Sequence, residues 1–112
     1  MSRGTSAKLT GAAPVFAALG DETRLRLVAR LCVDGPLSIV RLSEEAAVTR
    51  QAITKHLHAL ADAGVVRGTR QGRERIWKLE PRSLERARRS LDQISEQWDA
   101  AIDRLKMFVE KE

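Results

Sequence analysis

Apolar residues recur along this chain at three different spacings, and the changes of spacing divide it. From Ala12 to Leu60 they fall three and four apart, the period of amphipathic helices. From Val65 to Leu79 short β-branched and aromatic runs flank a glycine, the pattern of a hairpin. From Leu84 to Phe108 they recur at every seventh position.

Four helices are predicted in the first stretch. Val15, Phe16 and Leu19 lie on one side of a short helix that begins near Ala12, and Gly20 is placed to end it. Asp21 has the chemistry to cap the next helix, and Glu22 favours its positive end. Leu25, Val28, Ala29 and Cys32 form its expected buried stripe, while Leu27 and Leu31 add a second apolar side, so this helix is expected to be central. Asp34-Gly35-Pro36 stops it. Ser38 caps a third helix that packs through Val40, Leu42 and Ala46, and the chain turns at Ala47-Val48. Thr49 caps the fourth helix, whose core stripe is Ile53, Leu57 and Leu60, and Gly64 ends it.

Val65-Val66 and Ile76-Trp77-Lys78-Leu79 are the ends of a hairpin with Gln71-Gly72 near its tip. Pro81 opens the last helix. Leu84, Leu91, Trp98 and Leu105 make one row along it, and Ala87, Ile94, Ala101 and Phe108 make the other. A seam sustained over such a length, roughly 40 Å at 1.5 Å per residue, is too long to bury against a small head. A second copy is the simplest partner. The expected fold is therefore mainly α with a small β-hairpin, a winged helix-turn-helix. Residues 1–12 are a loose tail, 13–80 the core and 81–112 a dimerisation helix.

Charge sharpens this outline. The 112 residues suit one domain, and their net charge is +5. Residues 49–78 hold seven basic groups and two acids, so seven minus two already gives +5 and the rest of the chain cancels. A net charge confined to the second helix of a helix-turn-helix and its wing is an electrostatic footprint for DNA phosphate. The single cysteine, Cys32, permits no intrachain disulfide, which fits a reducing compartment. No apolar run approaches a membrane span and the N-terminus lacks a signal-peptide core, so a cytoplasmic location away from membranes is expected.

With Ile53 inward, Gln51, Thr54, Lys55 and His58 face outward, and Arg50 lies in the open first turn beside Thr49. Arginine suits guanine, glutamine suits adenine, and threonine suits either or a phosphate. A polar face alone would be ordinary solvated surface. Here it comes with a basic hairpin and with no acid from Thr49 to Ala61. His56 sits at the edge of the core stripe, where packing and phosphate donation are equally open. In the wing Arg70, Gln71, Gly72 and Arg73 form a flexible cationic tip suited to backbone or minor-groove contact. Arg67 and Arg75 fit either side of the ribbon.

These motifs resemble the ArsR/SmtB family of winged-helix repressors. Phe16-Ala17-Ala18-Leu19-Gly20-Asp21-Glu22-Thr23-Arg24 is similar to the family's ALADPTR opening. Leu42 to Ala46 and Thr49 to Leu57 are similar to its LAEALGLSQSTVSKHL stretch, and Ala63-Gly64-Val65-Val66 and Gly72 to Trp77 continue the likeness. The resemblance implies a homodimer joined through its first and last helices, with Phe16, Leu84, Leu91, Ile94, Trp98, Leu105 and Phe108 in the interface. It implies two recognition helices on an inverted repeat of double-stranded DNA, with base contacts from Arg50, Gln51, Thr54 and Lys55. Many members occlude a promoter until an effector binds; the resemblance names no effector here.

The departures narrow the expectation. Val40 to Glu45 carries none of the paired cysteines of the family's metal sensors. The last helix has Asp92, Asp99 and Asp103 but no histidine, so transition-metal ligands are missing and no cofactor is expected. A dithiol sensor would need a second cysteine, and Cys32 is read instead as a buried packing residue. The likeness is to the metal-free branch. No nucleophile–base pair or phosphate-cradling loop suggests an enzyme.

Overall fold

The computed structural model describes residues 3–110; Met1, Ser2, Lys111 and Glu112 lie outside the described residues. The element order is α1 (Arg3–Leu19), α2 (Glu22–Asp34), β1 (Leu37–Ser38), α3 (Ile39–Ser43), α4 (Arg50–Asp62), β2 (Val66–Gln71), β3 (Glu74–Leu79) and α5 (Pro81–Glu110). The caps are those the residue types favour. Asp21 accepts from the Arg24 amide, Ser38 from Arg41 and Thr49 from Ala52, each satisfying an amide of the first turn. Gly64 follows α4 with φ +78°, a conformation that favours glycine.

The core lies where α2, α3, α4 and the sheet converge. Leu42, Ile53, Leu57, Leu60 and Val65 are buried there with Trp77. The sheet has three strands in the order β1-β3-β2, all antiparallel. Leu37 pairs with Trp77 and Ser38 with Ile76, so the linker between α2 and α3 completes the sheet beside the hairpin. Two residues are too few for an alternating pattern, which is why only the hairpin is visible in the sequence.

Four expectations are corrected. The first helix begins at Arg3, well before Ala12, and carries Pro14 inside it. Thr10-Gly11 and Pro14 read locally as breakers, so the sequence suggests a tail where the structure has a helix. In α2 the buried residues are Leu27, Val28 and Leu31, whereas Leu25 is 51 % exposed and Ala29 and Cys32 lie on the open side. A helix apolar on two sides does not reveal by periodicity which side turns inward. Cys32 is accordingly an exposed thiol rather than a packing residue. In α3, Val40 is exposed and Ile39 packs against the core in its place.

The last helix is 30 residues long, and the molecule measures 64 × 31 × 20 Å. Its first turns pack on α1 and on the core through Leu84 and Ala87. Beyond Ser90 its apolar rows leave the head. Leu91, Trp98, Leu105 and Phe108 are exposed, Trp98 by 66 % and Phe108 by 67 %, while Ile94 and Ala101 are half-covered. Phe16, on α1, is half-buried against the core.

Candidate nucleic-acid interface

The Thr49 cap starts α4 at Arg50, and burial of Ile53, Leu57 and Leu60 fixes the rotation of the helix. That rotation leaves Gln51 and Lys55 exposed on the opposite side with Thr54 half-buried beside them, while Arg50, on the flank of the stripe, is exposed because it stands in the open first turn. Thr54 Oγ1 donates to the Arg50 carbonyl at 3.0 Å, so its hydroxyl meets a ligand as an acceptor. Thr49 Oγ1 accepts from the Ala52 amide at 3.1 Å and so belongs to the cap. The first turn of α4 presents side-chain donors around a helix N-terminus, the electrostatics a phosphodiester requires.

His56, half-buried, and His58, exposed, both make contacts to other side chains of the protein. The Arg24 Nε donates to His56 Nδ1 at 3.1 Å, and Asp21 Oδ2 lies 3.9 Å from the same nitrogen. Nε2 is therefore the remaining polar atom of His56 for a phosphate, and the imidazole ties α4 to the start of α2. His58 meets the Trp77 ring edge-on, with centroids 5.7 Å apart. That contact joins the reading helix to the wing.

The wing is a regular ladder closed by Gly72, whose φ of +63° suits the first central position of a II′ turn. Its register settles the side choice left open by the sequence. Val66, Gly68 and Arg70 pair with Leu79, Trp77 and Arg75, so these six residues share one face. That face packs Trp77 against His58 of α4. Arg67 and Lys78 lie on the other face, and Arg67 is held by Glu80 at 2.8 Å. Arg70 and Arg75 thus stand directly opposite each other, an arrangement of like charges that is unfavourable without a counter-ion. The Arg75 guanidinium lies 5.1 Å over the Trp77 ring. Gly68 makes the room: a Cβ there would come within 2.6 Å of Arg75 Nε and 3.0 Å of Trp77.

Among the described residues the Arg and Lys ion pairs are Arg26–Glu22, Arg30–Asp34, Arg41–Glu44, Glu85 with Arg88 and Arg89, and, at the base of the wing, Arg67–Glu80. Arg50, Lys55, Arg70 and Arg73 are left as uncompensated, solvated cations on the reading helix and wing. No three His, Cys, Asp or Glu side chains gather as a metal site would need among the described residues.

Comparison with known proteins agrees with this geometry. A family model described as a helix-turn-helix domain matches residues 19–69. The HTH-type transcriptional regulator Rv2034 of Mycobacterium tuberculosis is 33 % identical over 95 residues, 85 % of each chain. The solved structure of an ArsR-like transcriptional regulator from Rhodococcus sp. RHA1 is 37 % identical, covers 94 % of this chain and 95 % of its own, and superposes with a TM-score of 0.69. This chain belongs to the ArsR-like winged helix-turn-helix regulators. A homodimeric winged helix-turn-helix domain from Mycobacterium bovis, 22 % identical over 87 % of this chain and 88 % of its own, has the same fold with a TM-score of 0.63. The ArsR-like regulator described here is accordingly a DNA-binding transcriptional regulator.

The structure brings Gln51, Thr54 and Lys55 together on one face of α4, with Arg50 beside them in its first turn, and Arg70 and Arg73 onto the wing beyond it. Sequence reasoning missed the seat of Arg75 on Trp77 and the Arg24–His56 bond. The first is prefigured by a glycine within a strand, a mark of close approach. The second joins residues 32 apart and leaves no local trace.

Proposed function

We propose that this regulator acts as a homodimeric repressor that reads an inverted repeat through paired α4 helices. The uncovered seam on α5 carries this reading. Leu91, Trp98, Leu105 and Phe108 continue a heptad repeat along the exposed side of the helix, and water is a poor partner for two aromatic and two leucine side chains in rows. A second copy carries the same rows, so the two seams cover each other about a two-fold axis. That axis sets two α4 helices in successive major grooves of a symmetric site. Phe16, Leu84 and Ile94 border the seam on its head side.

At each half-site Arg50, Gln51, Thr54 and Lys55 meet base edges, and Thr49, His56 Nε2, Arg70 and Arg73 meet the backbone. A dimer seated on a promoter blocks polymerase without any catalytic step. Its place is the cytoplasm, where DNA is reached directly; among the described residues no helix is long and apolar enough to cross a membrane. The testing experiment is fluorescence anisotropy with the duplex upstream of its own gene and a scrambled duplex, across a salt series. Tight binding to the upstream duplex alone is expected. Equal affinity for both at every salt would reduce the reading to phosphate attraction, and binding to neither would transfer it to a protein partner.

A further inference from the structure

We propose that the outer edge of β2 and the first turns of α5 form a docking groove for an acidic, extended peptide segment of a partner protein, which adds beside β2 as a fourth strand. The strand order β1-β3-β2 leaves β2 with one side unpaired. The phase of the ladder is fixed at its base, where the Glu80 amide donates to the Val65 carbonyl at 2.9 Å. Alternation then turns the N–H and C=O groups of Val66, Gly68 and Arg70 away from β3. Three consecutive residues, Val66, Arg67 and Gly68, line a groove of about 780 Å³ with Gly64, Ser83 and the guanidinium groups of α5. Side chains of consecutive strand residues point to opposite faces, so a groove that touches all three runs along the strand's edge.

The charge of the groove selects its occupant. Arg67, Arg82 and Arg86 border it against one carboxylate, Glu80, so three minus one leaves +2. Glu80 is already paired with Arg67, and among the described residues Arg82 and Arg86 have no acidic partner. A second copy's β2 carries Arg67 and Arg70 and is repelled, whereas a strand bearing glutamate or aspartate is attracted.

Neither function already assigned uses this place. Ala61 and Gly64 border the groove at the C-terminal end of α4, roughly 15 Å along the helix from Gln51. Arg82 and Arg86 also fall outside the Leu84 and Ala87 rows of the seam. A nucleic-acid backbone offers acceptors only, but the strand edge presents donors and acceptors alternately, which another strand matches.

The test uses the full-length ¹⁵N-labelled protein and two synthetic six-residue peptides, the length of β2, one alternating Glu with Thr and one alternating Lys with Thr. The acidic peptide is expected to slow amide exchange at Gly68 and Arg70, and the basic one to leave both unchanged. In the Arg82→Glu/Arg86→Glu variant the affinity for the acidic peptide is expected to fall about tenfold or more, as loss of charge-assisted contacts implies, while affinity for a DNA duplex stays within about twofold. No protection at Gly68 and Arg70 with millimolar acidic peptide overturns the proposal, as does equal binding of the basic peptide. A variant that loses duplex affinity instead assigns the groove to DNA and also overturns it.

Discussion

Helices α4 and α5 each bury one face and leave another open, but the open faces differ in chemistry. In α4 the open side carries Arg50, Gln51 and Lys55. Water solvates these groups well, so the isolated head is content to wait for DNA, and the exchange of counter-ions for phosphate is reversible and salt-dependent. In distal α5 the open side carries Trp98, Leu105 and Phe108. Nothing in water compensates these groups, so the helix is incomplete until the seam is covered. The polar face marks an intermittent partner and the apolar face a constant one. On the proposed function assembly precedes reading, and damage to α5 is expected to reach DNA affinity indirectly.

The sharpest way to break the comparison is Trp98→Ala. Emptying an aromatic from a packed seam costs about 3 kcal/mol or more, and the dimer loses one from each copy. Sedimentation equilibrium is expected to show dimerisation weakened by at least about a hundredfold, with the helical circular-dichroism signal of the head retained. DNA affinity for the paired site falls with it because a monomer reaches one half-site. A variant still fully dimeric at nanomolar concentration would place the interface elsewhere.

Arg50→Ala tests the other face. An arginine bidentate to guanine discriminates by about 1–3 kcal/mol, so affinity for the cognate duplex is expected to fall roughly 5- to 150-fold while the scrambled duplex loses far less. The oligomeric state should not change. Equal losses on both duplexes would make Arg50 a phosphate contact, and altered sedimentation would merge the two surfaces that the comparison separates.

These surfaces were legible in the sequence to different degrees, and the reason is physical. The face of α4 follows from one stripe, Ile53-Leu57-Leu60, and one cap, Thr49, so a single rotation satisfies both. The seam follows from a seven-residue period that no other element shares. In α2 two apolar sides compete, and tertiary packing chose Leu27 and Leu31 over Leu25 and Cys32. In the wing, composition disclosed the arginines but not their sides, because register is a property of two strands together. Once Gly68 is opposite Trp77, the seat of Arg75 is determined.

That seat gives the smallest and most discriminating prediction. Gly68→Ala places a Cβ where Arg75 now crosses, and the flexible guanidinium gives way before the buried Trp77 ring does. Removing a cation–π contact at an exposed site is worth about 0.5–1 kcal/mol, so DNA affinity is expected to weaken roughly two- to fivefold on specific and scrambled duplexes alike. Arg75→Ala should produce a similar loss with a slightly shallower salt dependence, since one cation is gone rather than displaced. If Gly68 acts by seating Arg75, the double variant loses no more than Arg75→Ala alone, a non-additivity that anisotropy measures directly. Additive losses would mean that Gly68 shapes the strand and that Arg75 reaches DNA without the help of Trp77. The same double-variant comparison then separates a wing that is preorganised from one that is merely charged, which sets Arg75 apart from Arg73 at the open tip.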